Sequence, residues 1–320
     1  MRQIGVLTSG GDTPGMNAVI RAVVKSGIQY GLQVYGVFSG YKGLINGDMR
    51  LMTEADVTNI VHKGGTILKT ARSDEFRTPE GAKKAMLALR AFGIDGLVII
   101  GGDGSLAGAQ LLADMGCKVM GIPGTIDNDL AYTQFTIGFD TAINNVVEQV
   151  YKIRDTMTSH DRIGVIEVMG RNCGDIALYS AVASGAHALL LPEVPYDFEK
   201  LCDGLVANKI RGKRSSIVIM AEGVGDAEEM AQRITEATGH EARSIVLGYT
   251  QRGGNPTAAD RILATRCGVH AVELLKNGVA NRAIGIRENK IIDIEIAEAL
   301  KAPYEFDYKL HEISTIVSMI

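Results

Sequence analysis

The chain is 320 residues long, with 33 basic against 37 acidic residues, a net charge of −4. That length is about two domains' worth, and that charge argues against a nucleic-acid binder driven by phosphate attraction. Hydrophobic residues at 46% with charged residues at 22% match a folded globular protein and exclude a disordered one. Glycine stands out at 38 of 320, about 12% against a usual level of about 7%. There is no Gly-X-Y period, so collagen is excluded. Clustered glycines instead suggest tight turns where backbone meets ligand.

In chain order, apolar β-branched runs predict strands over 4–8, 34–38, 96–100, 119–122, 163–169, 216–221 and 244–247. Several are almost continuously apolar, as strands covered on both faces would be. Helical periodicity fills 16–30, 80–92, 105–115, 141–156 and 227–238. The βαβα order predicts an α/β fold with mostly parallel sheets and right-handed crossovers. No proline-rich linker or short repeat marks a domain boundary, and the tail from Glu305 is expected to pack. No apolar run approaches the roughly 18 to 20 residues of a membrane span. The start lacks the pattern of a signal peptide. Cys117, Cys173, Cys202 and Cys267 are far apart, so neither a disulfide framework nor a zinc cluster is expected, and a cytoplasmic setting is.

Three segments share one arrangement, an apolar strand ending in a glycine-rich turn before a helix. Such turns present backbone N–H groups, and the helix adds the positive end of its dipole; together they suit phosphate. The first turn carries Gly10, Gly11 and Gly15, and by itself fits equally a tight strand-to-helix connection. The second reads Gly101-Gly102-Asp103-Gly104-Ser105. There Asp103 could hold a Mg²⁺ that bridges nucleotide phosphates. It is not a Walker A loop, since no G-x-x-x-x-G-K-[ST] occurs. Gly102, Gly104 and Gly108 are spaced one residue too widely for a dinucleotide fingerprint. The third reads Gly124-Thr125-Ile126-Asp127-Asn128-Asp129. A carboxylate at a strand tip can serve as a general base, and the same residues would also suit an Asx-type turn. Arg162, Arg171, Arg243 and Arg252 follow similar positions. On an acidic chain they suggest a local anion site, which the forked guanidinium binds bidentately.

Taken together, LTSGGDTPGMNA at 7–18, GGT at 64–66, IGGDGS at 100–105, PGTIDND at 123–129, MGRNCGD at 169–175 and QRGGNPTAADR at 251–261 resemble the bacterial ATP-dependent 6-phosphofructokinase family. The resemblance runs from Ile4 to about Asn281. GGDG alone occurs also in NAD kinases and diacylglycerol kinases, which lack the PGTIDND and QRGG segments.

The resemblance implies two Rossmann-like, three-layer α/β/α domains: 1–138 plus about 251–303 for the nucleotide, and about 139–250 plus 304–320 for the sugar phosphate. It implies γ-phosphoryl transfer from MgATP to the 1-hydroxyl of fructose 6-phosphate. Asp127 is then the general base, Thr125 and Asp129 support the reacting centre, Asp103 serves Mg²⁺, and Arg171 stabilises the transferring group. ATP maps to Gly11, Arg72, Ser73 and Gly102 through Ser105, including Asp103 and Gly104. The sugar phosphate maps to Thr125, Ile126, Asp127, Met169, Gly170, Arg171, Glu222, Tyr249 and Arg252. Arg162 and Arg243 belong there too, supplied by a neighbouring subunit, which implies a homotetramer. An effector site for ADP and phosphoenolpyruvate maps to Arg21, Lys25, Arg154, Gly185, Arg211 and Lys213.

Five positions refine these expectations. Pyrophosphate-using relatives carry Asp at 104 and Lys at 124; Gly104 and Gly124 favour ATP. The family commonly has histidine at 249. Tyr249 cannot become cationic near neutral pH, so weaker sugar-phosphate binding is expected. Glu54 and His187 stand where the family has an arginine and a glutamate, so altered effector response is expected. The rival readings are a same-fold kinase for another phosphosugar, such as tagatose 6-phosphate, and a catalytically silent regulatory subunit.

Overall fold

The computed structural model describes residues 1–318. Two compact units divide it. Unit 1 comprises Met1–Thr141 and Arg252–Tyr304; unit 2 comprises Ala142–Gln251 and the chain from Glu305 onward.

Unit 1 is built on strands β1 (Gln3–Thr8), β2 (Gln33–Val37), β3 (Met49–Leu51), β4 (Gly96–Gly101) and β5 (Val119–Pro123). Unit 2 holds β6 (Ile163–Val168), β7 (Ala188–Leu190), β8 (Ser216–Ala221) and β9 (Ala242–Val246). The chain then returns to unit 1 with β10 (Arg282–Arg287) and β11 (Lys290–Glu295).

The unit 1 sheet runs β11-β10-β5-β4-β1-β2-β3. Only its outer pairs, β2 with β3 and β10 with β11, are antiparallel. Every residue of β4 is buried, which explains its unbroken apolar sequence. Val98 and Ile100 face one core with helices Met16–Gln29 and Ala258–Lys276. Leu97 and Ile99 face the other, with helices Pro79–Ala91 and Asp103–Asp114. Strand alternation therefore fills two helical layers from one strand.

Unit 2 carries the order β7-β8-β6-β9, all parallel. Val165, Val218 and Met220 pack against helices Phe198–Ile210 and Ala227–Thr238. The tail forms a helix over Tyr308–Val317 that packs on helix Asp175–Ser184; its last two residues lie outside the described ones.

All seven anticipated strands form, with ends within two residues of those expected. The helix expected from Ser105 begins at Asp103, so the acidic residue of the second turn sits in the first helical turn. The β10–β11 hairpin escaped notice because its turn is Glu288-Asn289, both at positive φ, without the usual Asn-Gly or Asp-Gly pair. The four cysteines are buried and unbridged. Burial pushes the Cys117 and Cys267 thiols up to about 12, which leaves them unreactive.

Candidate active site

In unit 1 the strands β1, β4 and β5 are parallel neighbours, so their carboxyl ends come out side by side. All three glycine-rich turns therefore meet. Ser9 N–H donates to the Ile100 carbonyl at 2.9 Å, and Gly124 N–H to the Gly101 carbonyl at 3.0 Å. Gly101 has no room for a side chain: a Cβ there would lie 2.3 Å from Ser105 Oγ and 2.5 Å from the Ser9 carbonyl. At Gly102 a Cβ would come to 3.5 Å from Thr125 Cβ, so the second and third turns touch. Thr70 Oγ1 donates to the Gly10 carbonyl at 2.7 Å, bringing the stretch with Arg72 and Ser73 to the first turn. Arg252 Nη1 donates to the Asp12 carbonyl at 3.4 Å, against Gly11.

Asp103 and Gly104 occupy the exposed first turn of helix Asp103–Asp114. That is the positive end of a helix dipole. A Cβ on Gly104 would meet nothing within 4 Å, so space at this residue is open. Gly124 differs. A Cβ there would approach Ile100 Cγ2 to 3.0 Å and both Gly101 N and Met16 Cε to 3.3 Å. Its glycine thus has a packing reason besides any donor preference.

Asp127 is buried, at 2% exposure, and its N–H donates to Thr125 Oγ1 at 3.2 Å. Asn128 takes a left-handed conformation, φ 55°. Its Oδ1 accepts from Thr136 N–H at 3.0 Å, eight residues on.

In unit 2, Met169-Gly170-Arg171 follows β6, and Glu222 follows its parallel neighbour β8. Glu222 Oε1 accepts from the N–H groups of Gly170 at 3.1 Å and Arg171 at 2.6 Å. The turn needs this support: Arg171 has φ 55°, and Gly170 has φ 135°. Met169 N–H donates to Oε1 of the fully buried Gln251 at 3.0 Å. Tyr249, two residues before, is 84% exposed.

Arg162 and Arg243 do not join this group. They flank the amino ends of β6 and β9, a strand's length away, roughly 20 Å at about 3.3 Å per residue. The idea of one local arginine cluster is thereby corrected: the sequence marks strand ends without telling which end of the sheet they share. At their own end, Glu241 joins the two. Arg162 Nε donates to Glu241 Oε2 at 2.6 Å, and Arg243 pairs with Oε1. The hydrogen bond from Arg162, then the charges of both arginines, hold the Glu241 carboxyl below its ordinary range.

The effector residues also fall into two sets. Lys25 pairs with Glu54 at 3.3 Å in unit 1, on the helix that carries Arg21. In unit 2, Arg154 Nη2 donates to the carbonyls of Ser184 at 2.7 Å and Gly185 at 3.0 Å. His187 Nδ1 accepts from Ile217 N–H at 3.0 Å. Burial, then the charges of Lys213 and Arg154, lowers the His187 imidazole to about 4. Burial and the charges of Arg211 and Arg154 lower the Lys213 ammonium as well. Arg154, Arg211 and Lys213 gather positive potential, and His187 is neutral beside it.

Gln251 and Glu241 carry no site signal of their own in the sequence. Gln251 lay inside the QRGG segment; Glu241 had no local signal at all.

The chain matches the family described as Phosphofructokinase over residues 3–275. It is 57% identical over 318 residues to the ATP-dependent 6-phosphofructokinase of Clostridium botulinum strain Hall, covering 99% of this chain and 100% of that one. The enzyme of the same name from Clostridium tetani is 55% identical over the same shares. Phosphofructokinase from Saccharomyces cerevisiae superposes with a TM-score of 0.87 at 36% identity; 99% of this chain covers 47% of that one, so the chain spans about half its length. With matches that run from its first strand through most of its length, the chain belongs to the phosphofructokinase family.

Proposed function

We propose that the protein transfers the γ-phosphoryl group of ATP to the 1-hydroxyl of fructose 6-phosphate, giving fructose 1,6-bisphosphate and ADP. The observation that carries this reading is the meeting of three glycine-rich turns, the third of which carries the buried Asp127, at the carboxyl ends of three parallel strands. Phosphoryl transfer needs positioning and charge stabilisation more than covalent chemistry.

In this reading Gly11, Arg72, Ser73, Gly102, Gly104 and Ser105 receive the nucleotide. Asp127 takes the proton of the sugar hydroxyl, with Thr125, Ile126 and Asp129 around it. Arg171 meets the transferring group, and Met169, Gly170, Glu222, Tyr249 and Arg252 receive the sugar phosphate. The donor set of these turns is carboxylate oxygen, which suits Mg²⁺, a cation that keeps water and phosphate oxygens in its shell. Asp103 would hold it, and its charge would offset that of the phosphates.

Arg162 and Arg243 serve a neighbouring copy, in a homotetramer. Their place at the far end of β6 and β9 from Arg171 supports this, since one sugar phosphate cannot span a strand's length. Arg21, Lys25, Arg154, Gly185, Arg211 and Lys213 form the effector site for ADP or phosphoenolpyruvate. Among the described residues no helix is long and apolar enough to cross a membrane, which accords with a cytoplasmic enzyme.

The test is a coupled assay with fructose 6-phosphate, Mg²⁺ and either ATP or pyrophosphate, on wild type and Asp127→Ser. ATP-dependent turnover should fall about 10² to 10⁴-fold in the variant, the range of general base catalysis. Activity with pyrophosphate alone would overturn the donor. Activity with neither would direct the search to other phosphosugars, tagatose 6-phosphate first.

A further inference from the structure

Asp127 lies in a turn whose two sides are gripped by one later residue. Thr136 Oγ1 donates to the Thr125 carbonyl at 2.7 Å, on the near side of Asp127. Thr136 N–H donates to Asn128 Oδ1 at 3.0 Å, on the far side. Asn128 Nδ2 completes the loop by donating to the Gln134 carbonyl at 3.4 Å. Thr136 is only 1% exposed, so water does not compete for these bonds.

The grip is itself anchored. Ile137 N–H donates to the Pro123 carbonyl at 2.9 Å, at the end of β5. The Ile137 carbonyl accepts from Thr13 Oγ1 at 3.0 Å. Next in the chain, Gly138 N–H donates to Asp260 Oδ1 and Thr141 N–H to Oδ2, both at 2.8 Å. Asp260 is 2% exposed and lies in the first turn of helix Ala258–Lys276. Thr136 thus stands between a strand end and a buried carboxylate that accepts two backbone hydrogen bonds.

We propose that Thr136 is a positioning residue for phosphoryl transfer, holding the 125–128 turn so that the Asp127 carboxylate keeps its direction. This rests on the reading of Asp127 as the general base. A base must stay within hydrogen-bond reach of the proton it takes, and a displacement near 1 Å can cost about 100-fold in rate. Asn128 belongs to the same device. Its left-handed backbone turns the chain immediately after Asp127, and its amide ties that turn to Thr136.

The experiment compares wild type, Thr136→Val, Thr136→Ser and Asn128→Gly, with kcat, both KM values and the thermal midpoint measured for each. Val keeps the shape and loses the hydroxyl; Ser keeps the hydroxyl; Gly accepts the left-handed backbone and loses the amide. Thr136→Val and Asn128→Gly should lower kcat about 10- to 100-fold with both KM values within about threefold. Thr136→Ser should restore kcat to within about threefold of wild type. The positioning role is overturned by an unchanged kcat in both impaired variants, by a loss confined to KM, or by a serine variant as slow as the valine one. Should Thr136→Val not fold, Asn128→Gly decides: an unchanged kcat, or a loss confined to KM, overturns the role. A wild-type chain without ATP-dependent activity overturns the reading of Asp127 and this role with it; an active wild type with unaffected variants overturns this role alone.

Discussion

Arg162 and Arg243 share the two oxygens of one carboxylate, Glu241, at the amino end of β6 and β9. The turn bearing Arg171 lies past the carboxyl end of β6. If a single sugar phosphate needs both sets, two copies of the chain must supply them. Arg171→Ser and Arg162→Ser chains should each be nearly inactive alone. Dissociated, mixed and reassembled, they should regain about a quarter of wild-type activity: half of randomly formed pairs are mixed, and each mixed pair has one intact site of two. A mixture no more active than its parents would reject the shared site.

Gly104 tests the phosphoryl donor apart from the fold. A Cβ there meets nothing within 4 Å, and an acidic residue in the first turn of a helix is favourable to stability. Gly104→Asp should leave the thermal midpoint unchanged. It should lower kcat/KM for ATP by about 100-fold, through repulsion between its carboxylate and a nucleotide phosphate. Retained ATP kinetics would sink the role given to this turn.

His187 predicts an acid sensitivity. Its imidazole titrates at about 4 in the folded chain against an ordinary 6.5, chiefly because of burial. The folded state then binds fewer protons than the unfolded one between those values. Stability from this group is complete above about pH 6.5 and declines as pH falls toward about 4. His187→Gln cannot take up the proton. The thermal midpoint of wild type relative to this variant should drop steadily as pH is lowered through that window. A pH-independent difference between the two would refute the assignment.

Glu54 tests the effector site. Its pairing with Lys25 at 3.3 Å is largely exposed, so it adds at most about 1 kcal/mol to stability. It does cancel a positive charge where an anion is expected to bind. Glu54→Arg should strengthen the response to phosphoenolpyruvate or ADP by about tenfold while the thermal midpoint hardly moves. An equally weak response in wild type and variant would place the effector elsewhere.

Much of this protein could be read from the chain without its fold. The apolar strands were legible because buried parallel strands leave a continuous signature, as β4 does with every residue buried. The three turns were legible because glycine recurs where backbone must approach backbone, as at Gly101 against the Ser9 carbonyl. Local chemistry therefore pointed to Asp103, to the carboxylates of the third turn and to the three glycine-rich turns, while the family resemblance singled out Asp127. Tertiary structure decided what depends on distance through space. It placed Thr136 on both sides of Asp127 and Asp260 beneath that grip. It set Glu241 between two arginines and sent those arginines to the opposite end of the sheet from Arg171. Periodicity reports which face of a strand a residue takes; only the assembled sheet decides which strand ends, and which residues far apart in sequence, come together.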